Sequence, residues 1–300
     1  MYKAYFGLRE VPFSITPDTS YFFSFSSYQA ALNTLLIAAR NGEGFIKITG
    51  EVGTGKTLLC RKFMAMLGPG FVSAYIPNPQ LDPRGLMLAL ADELGIVPDR
   101  SLDQHQLLKA LNHQLLHFAR DGKRVLLCID EAQALPVETL EALRLLSNLE
   151  TEKSKLLQIV LFGQPELDRK LARNEIRQLT QRISFHYRLL PLSSDEIAVY
   201  IAHRLNVAGY QGPPLFSRAA LALLSIFSGG VPRILNILAH KALMLGFGEG
   251  KQQITARDIM SAAQDTLAVT QMKTYAVMRA VLGGSVLLAM VTLLGWMTYR

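Results

Sequence analysis

The chain has 300 residues, of which 50% are hydrophobic and 18% are charged. This length allows one large domain or two modest ones, and the two cysteines exclude a disulfide-stabilised scaffold. Basic residues are concentrated in the second half, because residues 151–300 carry 17 Lys and Arg against 9 Asp and Glu. That half could face nucleic acid, an anionic membrane surface or the nucleotide phosphates of a neighbouring subunit.

Residues 1–44 predict an arm followed by a helix. The first 28 residues combine aromatic side chains with turn formers, a pattern typical of an extended segment laid over a core. Such an arm could contact an adenine ring or could simply cover apolar surface, and the sequence leaves both alternatives open. The apolar side of residues 27–41 predicts a helix.

A phosphate-binding loop signature, Gly-x-x-x-x-Gly-Lys-Thr, lies between a predicted strand at 45–49 and a predicted helix at about 55–67. Glycines allow backbone N–H groups to approach a phosphate closely, and the helix N-terminus adds positive polarity. Lys56 can reach the β- and γ-phosphates, and the Thr57 hydroxyl can bind Mg²⁺. The sequence therefore predicts a site for ATP and Mg²⁺, formed by Gly50, Glu51, Val52, Gly53, Thr54, Gly55, Lys56 and Thr57.

Two adjacent carboxylates follow the predicted strand at 125–129. After a phosphate-binding loop, such a pair is typical of a nucleotide hydrolase. Asp130 would hold Mg²⁺ together with Thr57, and Glu131 would orient and polarise the attacking water. Between the loop and this strand, the pattern predicts another strand at 71–76 and helices at 83–95 and 103–120.

Gln164 follows a further apolar strand at 156–162. A polar side chain at the tip of a central strand can contact the γ-phosphate and its water, so Gln164 is a candidate sensor. A surface glutamine is the alternative interpretation.

The segment 169–188 holds six Lys and Arg residues against one acidic residue. Its pattern predicts a helix at 175–183 and an edge strand at 184–190. An arginine just before such a strand can reach the γ-phosphate of a neighbouring subunit, and Arg182 fits this position better than Arg177. A solvated basic face is the alternative.

The rest of the chain predicts a helical lid and an apolar tail. The lid covers residues 192–267 and carries Arg233 near the start of a helix, directed back toward the core. After a linker at 268–279, residues 280–299 are uncharged and as a helix would span about 30 Å, the hydrocarbon thickness of a bilayer. This predicts a transmembrane helix, with a buried or partner-binding helix as the alternative.

These motifs occur in the order found in AAA+ ATPases, and their wording resembles the general secretion pathway protein A family. The resemblance covers residues 1 to about 267, and within the family it extends to ATPases of MSHA-type pilus biogenesis. It is carried by Tyr5–Leu8, Pro12–Asp18, Thr49–Thr57, Ile129–Gln133, Arg144–Glu150, Phe162–Leu167 and Gly229–Arg233.

The resemblance implies a five-stranded parallel sheet in the order 5-1-4-3-2, with helices on both faces and a C-terminal helical lid. It also implies that Arg182 acts in trans as an arginine finger and that Arg233 is a second sensor. The expected organisation is an arm and first helix at 1–44, an ATPase core at 45–191, the lid at 192–267, the linker at 268–279 and the membrane helix at 280–299.

The function implied is Mg²⁺-dependent ATP hydrolysis by a homo-oligomer that assists assembly of a type IV pilus or a type II secretion-related machine. The expected location is the bacterial inner membrane, with a single-pass C-terminal anchor in the bilayer, the ATPase domain in the cytoplasm and pilus or secretion proteins as partners. Two alternatives remain open. One is a nucleotide-switched scaffold with slow hydrolysis, and the other is a DNA-binding ATPase similar to transposition accessory proteins.

Overall fold

The computed structural model describes residues 2–96, 102–152 and 154–266, and it contains two compact units. One unit is formed by described residues between 17 and 190, and the other combines residues 2–16 with residues 191–266. The strands are β1 (Phe45–Gly50), β2 (Phe71–Ile76), β3 (Arg124–Ile129), β4 (Leu157–Gly163) and β5 (Ile183–Leu189). The helices are α1 (Tyr2–Tyr5), α2 (Ser26–Asn41), α3 (Lys56–Ala65), α4 (Pro83–Glu93), α5 (Gln104–Arg120), α6 (Val137–Leu146), α7 (Pro165–Leu171), α8 (Arg177–Thr180), α9 (Ser194–Val207), α10 (Arg218–Ser228), α11 (Pro232–Gly248) and α12 (Ala256–Gln264).

All five strands lie in one parallel sheet with the order β2-β3-β4-β1-β5. Read from the opposite edge this is 5-1-4-3-2, so the predicted parallel α/β fold is confirmed. All seven residues of the central strand β4 are buried, as expected for a parallel strand covered on both faces. The carboxyl ends of β1, β3 and β4 therefore meet at one edge of the sheet, where a ligand site is expected.

The main hydrophobic cluster lies between one face of the sheet and helices α4, α5 and α6. It includes alternating strand residues such as Leu127, Ile129, Ile159 and Leu161, because successive side chains of a strand point to opposite faces. On α5 the buried residues are Leu107, Leu111 and Leu115, which recur every four residues and form one apolar stripe. Helices α2 and α3 contact β1, which carries the phosphate-binding loop.

Helices α9 to α12 form the second unit together with the N-terminal arm. The Arg204 side chain on α9 is buried, and its guanidinium donates to the carbonyl oxygens of Pro12 at 2.5 Å and Ser14 at 3.4 Å. Asn236 on α11 donates to the same Ser14 carbonyl at 3.2 Å. Phe13 is buried and packs edge-on against Phe216 at 5.9 Å. The first part of the arm therefore covers apolar surface of the helical unit.

The segment after β4 differs from the sequence expectation. Residues 165–171 form a helix that the sequence analysis does not predict. Pro165 is its first residue, and at this position the missing N–H of proline costs no helical hydrogen bond. The helix predicted at 175–183 is a single 3₁₀ turn, Asn174–Ile176, followed by the four-residue helix α8. Short apolar repeats in this region do not separate one continuous helix from two short ones.

The predicted transmembrane helix requires a correction. Within the described ranges, no helix is both long and apolar enough to cross a bilayer. The longest of these helices, α5 and α11, have 17 residues each, whereas a span needs about 20 predominantly apolar residues. The transmembrane element of the fold class and the single-pass inner-membrane location are therefore wrong for the structure described here. The segment predicted to form the anchor and to contact a bilayer, 280–299, lies outside the described residues.

Candidate nucleotide-binding site

The phosphate-binding loop connects the end of β1 at Gly50 to the start of α3 at Lys56. Gly53 and Gly55 adopt φ values of +81° and +90°, which side chains other than glycine rarely accept. The Thr54 hydroxyl donates to the carbonyl oxygen of Glu51 at 2.8 Å and stabilises the turn. These conformations turn the loop around the N-terminus of α3, where backbone N–H groups lack helical partners.

Tyr28 of α2 packs against the phosphate-binding loop at Thr54 and Gly55. Its ring is buried and its hydroxyl donates to the carbonyl oxygen of Thr54. A Cβ atom added to Gly55 would lie 1.7 Å from the Tyr28 hydroxyl, so Gly55 is required by space as well as by its φ value. The tyrosine therefore fixes the direction of one loop carbonyl and closes the space next to the loop.

Lys56 is buried, with 5% of its surface exposed. Its Nζ donates to the carbonyl oxygens of Gly50 at 2.9 Å and Glu51 at 3.1 Å. Burial lowers the pKa of Lys56, and the negative charges of Glu131 and Asp130 oppose that shift. Both hydrogen-bond partners are neutral carbonyls, so a phosphate oxygen would be a stronger acceptor for the same ammonium group.

Asp130 lies directly after β3 and faces the start of α3. Its Oδ2 accepts a hydrogen bond from the Thr57 hydroxyl, and its Oδ1 accepts the backbone N–H of Glu131 at 2.9 Å. Burial raises the pKa of Asp130, which is 2% exposed, while its hydrogen bonds act in the opposite direction. The hydroxyl of Tyr75 lies 3.5 Å from Oδ2, and burial followed by the charge of Asp130 raises the pKa of Tyr75 to about 12.

Thr57 and Asp130 fit a magnesium ion. Both offer hard oxygen donors, and the buried Asp130 carboxylate would be stabilised by a nearby cation. Mg²⁺ usually takes one or two protein ligands and keeps water or phosphate at its other positions. The described residues contain no cluster of three or more His, Cys, Asp or Glu that could hold a metal ion.

Glu131 and Gln164 are brought together at the same edge of the sheet. The side-chain amide of Gln164 donates to Oε2 of Glu131 at 2.8 Å, and Gln133 donates to the same oxygen. Oε1 of Gln133 accepts the backbone N–H of Gln164 at 3.0 Å. The three residues form one network that joins the end of β4 to the chain after β3.

The three candidate arginines differ in exposure and in the element that carries them. Arg182 is half-buried, and its guanidinium donates to the carbonyl oxygen of Arg144 at 3.1 Å and to the Ser147 hydroxyl at 2.7 Å, at the end of α6. Arg177 is exposed at the first position of α8. Arg233 is exposed in the first turn of α11, in the helical unit.

The site and fold agree with sequence comparisons. Residues 39–171 match the family described as AAA domain. The chain is 42% identical over 269 residues to general secretion pathway protein A of Aeromonas hydrophila. It belongs to the general secretion pathway protein A-like family of AAA+ ATPases. The alignment covers 90% of this chain but 49% of the relative, so the chain spans about half the length of that protein.

Several solved structures share the fold. Cdc6p of Pyrobaculum aerophilum has a TM-score of 0.65 and 18% identity, covering 84% of this chain and 72% of that one. ORC2 of Aeropyrum pernix, solved in ADPNP–ADP complexes, has a TM-score of 0.62 and 16% identity, covering 83% and 72%. The RuvB branch migration motor of Thermotoga maritima has a TM-score of 0.54 and 18% identity, covering 79% and 67%. At these identities the likeness establishes the fold alone.

Two residues of this AAA+ site have no role in the sequence analysis. Tyr28 lies 26 residues before Thr54, and no short motif links the two. Gln133 follows Glu131 by two residues, but it is hydrogen-bonded to Gln164, which lies 31 residues further along the chain. The position of Gln133 close to two adjacent carboxylates is the signal in the sequence that it belongs to the site. That position does not predict its hydrogen bond with Gln164.

Proposed function

We propose that this AAA+ protein binds ATP with Mg²⁺ and hydrolyses it. The observation that carries the proposal is the meeting of Thr57 with Asp130, and of Glu131 with Gln164, at the sheet edge that bears the phosphate-binding loop. A nucleotide-binding module without hydrolysis does not need a second carboxylate next to a polar sensor.

The roles of the residues follow from their chemistry. The loop residues Gly50 to Thr57 would surround the phosphates with backbone N–H groups, and Lys56 would exchange its carbonyl partners for phosphate oxygens. Thr57 and Asp130 would hold Mg²⁺, which supplies charge neutralisation at the phosphates when bound. Glu131 would orient the attacking water and accept its proton, and Gln164 would contact the γ-phosphate.

The direct test compares wild type with Glu131→Gln, which keeps the shape of the side chain but removes its basicity. We expect ATP affinity to change less than about threefold while turnover falls about 10²–10³-fold, since general-base catalysis contributes about 10²–10⁴-fold. Glu138→Gln, an exposed glutamate in the first turn of α6, is the matched control. Equal phosphate release by Glu131→Gln and Glu138→Gln would remove Glu131 from the mechanism.

We also propose that the site is completed by another subunit, with Arg182 as the arginine finger. In the described chain its guanidinium binds the end of α6, so in an oligomer it would exchange these partners for a γ-phosphate. Supplying an arginine in trans raises turnover by about 10³–10⁵-fold in other NTPases. Arg233 is proposed as a second sensor on the strength of its sequence motif.

Mixing two inactive variants tests the trans arrangement. Arg182→Ala lacks the finger but keeps Glu131, whereas Glu131→Gln has the reverse defect. If the finger acts in trans, a mixture of the two regains a measurable fraction of wild-type turnover, because some interfaces pair an intact Glu131 with an intact Arg182. Arg177→Ala alone is the control, and it should keep wild-type turnover. An inactive Arg177→Ala beside an active Arg182→Ala would transfer the role to Arg177.

The cellular role we propose is to assist assembly of a type IV pilus or a type II secretion-related machine. The support is the 42% identity to general secretion pathway protein A. A complementation assay with Glu131→Gln and Lys56→Met separates a motor from a switch. If the variant that binds but does not hydrolyse ATP supports assembly and Lys56→Met does not, nucleotide binding alone is sufficient.

A further inference from the structure

Gln133 has a single possible orientation in its network. Its Oε1 lies 3.0 Å from the backbone nitrogen of Gln164, which can only donate a hydrogen bond. The oxygen of the Gln133 amide must therefore face Gln164, and the amide NH₂ must face Glu131. The reverse orientation would bring two donors together.

The two glutamines act on the same atom of Glu131. Nε2 of Gln133 and Nε2 of Gln164 both donate to Oε2, the latter at 2.8 Å. The side-chain hydrogen bonds of Glu131 to described residues both end at Oε2, and none is formed by Oε1. One carboxylate oxygen is thus held by two amides, and the other is left available as an acceptor.

The backbone around the network is also fixed. Glu131 has φ +50°, the one positive φ of a residue other than glycine in the described chain, so the backbone leaves the extended conformation of β3 at this residue. Lys170 of α7 donates to the carbonyl oxygens of Gln133 and Leu135, both at 2.6 Å. Gln133 is therefore held at its side-chain amide by Glu131 and Gln164 and at its backbone carbonyl by Lys170. A residue fixed in this way can position a neighbouring side chain within a fraction of an ångström.

We infer that Gln133 is a positioning residue that holds Oε2 of Glu131 and presents Oε1 to the attacking water. The inference rests on the proposed hydrolysis of ATP. In that step the water oxygen forms a bond to the γ-phosphorus, the bond to the β,γ-bridging oxygen breaks, and its electron pair leaves with ADP. The proton of the water is accepted by Oε1, while Gln133 and Gln164 keep Oε2 in place.

The test replaces Gln133 with methionine, which keeps the length and volume of the side chain and removes both hydrogen bonds. We expect kcat to fall about tenfold, while KM and the affinity for ADP stay within about twofold, because the hydrogen bonds of the Gln133 side chain are to Glu131 and Gln164 and not to the phosphate-binding loop. Gln114→Met, at a half-buried position in the middle of α5, is the matched control.

A double-mutant cycle on thermal unfolding provides a readout that does not depend on turnover. Because Gln133 is expected to act through Glu131, the unfolding temperatures of Gln133→Met and Glu131→Gln should be non-additive, whereas Gln114→Met and Glu131→Gln should be additive. The cycle is also measurable if Gln133→Met lowers stability.

The outcomes separate this inference from the proposed function. An active wild type with an unchanged kcat in Gln133→Met would overturn the positioning role and leave ATP hydrolysis intact. A rise in KM without a fall in kcat would also overturn it, because the glutamine would then contribute to binding. A wild type that hydrolyses no ATP as an assembled oligomer would overturn the proposed function itself, and the inference with it.

Discussion

Lys56, in the unit of residues 17–190, and Arg204, in the helical unit, are both buried cations, each with 5% of its surface exposed. Lys56 donates to carbonyls five and six residues away in its own loop. Arg204 donates to a carbonyl 192 residues away and to the hydroxyl of Tyr200, and its guanidinium also packs over the Tyr200 ring at 5.7 Å. One cation is held locally, and the other joins distant parts of the chain.

The difference shows that burial alone does not mark a functional site. A buried ammonium that donates to neutral carbonyls of a glycine-rich loop can exchange them for a stronger, charged acceptor. A buried guanidinium that satisfies carbonyls of a separate segment cannot leave them without a cost, because they would remain buried without donors. The first arrangement fits ligand binding, and the second fits stability.

Replacing Lys56 with methionine should give the largest effect. We expect ATP turnover to fall about 10²–10³-fold, the loss found when one preorganised donor to a developing charge is removed. The unfolding temperature should stay the same or rise, because a buried charge is removed from the folded state. Phosphate release, ATP binding and thermal unfolding are compared with Lys109→Met, an exposed lysine of α5. A large loss of stability would place Lys56 in the same class as Arg204.

Replacing Arg204 with methionine should destabilise the helical unit by about 2–3 kcal/mol, because the carbonyls of Pro12 and Ser14 lose their charged donor. Circular dichroism during thermal unfolding would measure the change. Arg218→Met, at the exposed first position of α10, is the control. Equal unfolding temperatures for the two variants would show that Arg204 does not hold the arm.

The sequence was sufficient for the parts of the site that depend on local spacing. Gly50 to Thr57, Asp130 and Glu131 follow the ends of buried strands, and parallel strands bring their carboxyl ends to one edge. The sheet order, by contrast, came from a family resemblance, because periodicity identifies strands but not their neighbours. The strand predicted at 71–76 has the same bounds in the structure, because its apolar pattern is local. Its place at the edge of the sheet could not be derived from that pattern.

Contacts between distant segments could not be predicted. In the sequence, Arg204 is one of several basic residues on a predicted helix. The residues around it do not indicate that it binds the carbonyl oxygen of Pro12. The place of Arg182 before an edge strand makes it a candidate finger, but its partners Arg144 and Ser147 lie at the end of α6. Such contacts depend on how elements pack, which a single sequence leaves undetermined.

Asp258 is another buried charged residue that, like Arg204, is expected to contribute to stability and not to ligand binding. Asp258 of α12 is 2% exposed, accepts the N–H of Thr255 at 2.7 Å and binds Lys251 at 2.6 Å. Burial opposes its ionisation, but its hydrogen bonds with Lys251 and Thr255 prevail and lower the pKa of Asp258. Asp258→Asn should cost about 2 kcal/mol near neutral pH, since it weakens a helix cap and an ion pair.

The pH dependence of this effect has a defined sign. Because the folded-state pKa lies below the unfolded value of about 3.9, the ionised Asp258 stabilises the fold above that pH and loses its contribution as the pH falls through the folded-state pKa. The difference in unfolding temperature between wild type and Asp258→Asn should therefore shrink below about pH 4. Glu249→Gln, an exposed partner of the same Lys251, should show a smaller difference at every pH.

The smallest expected effect returns to the phosphate-binding loop. Tyr28→Phe keeps the buried ring beside Gly55 and removes the hydroxyl that donates to Thr54. The Thr54 carbonyl would then turn more freely, and with it the N–H of Gly55 on the same peptide plane, which the loop offers to phosphate. A lost hydrogen bond of about 1 kcal/mol corresponds to about a fivefold weaker affinity for ADP.

Calorimetry with ADP would measure that change against Tyr187→Phe, a half-buried tyrosine of β5 whose hydroxyl forms no hydrogen bond with other described residues. If Tyr28 only fills space, both variants bind ADP as wild type does, and the loop is shaped by its own glycines alone. If Tyr28→Phe weakens ADP binding without lowering the unfolding temperature, the tyrosine belongs with Lys56, among the buried groups that prepare the loop for its ligand. A loss of stability with unchanged affinity would instead place it with Arg204.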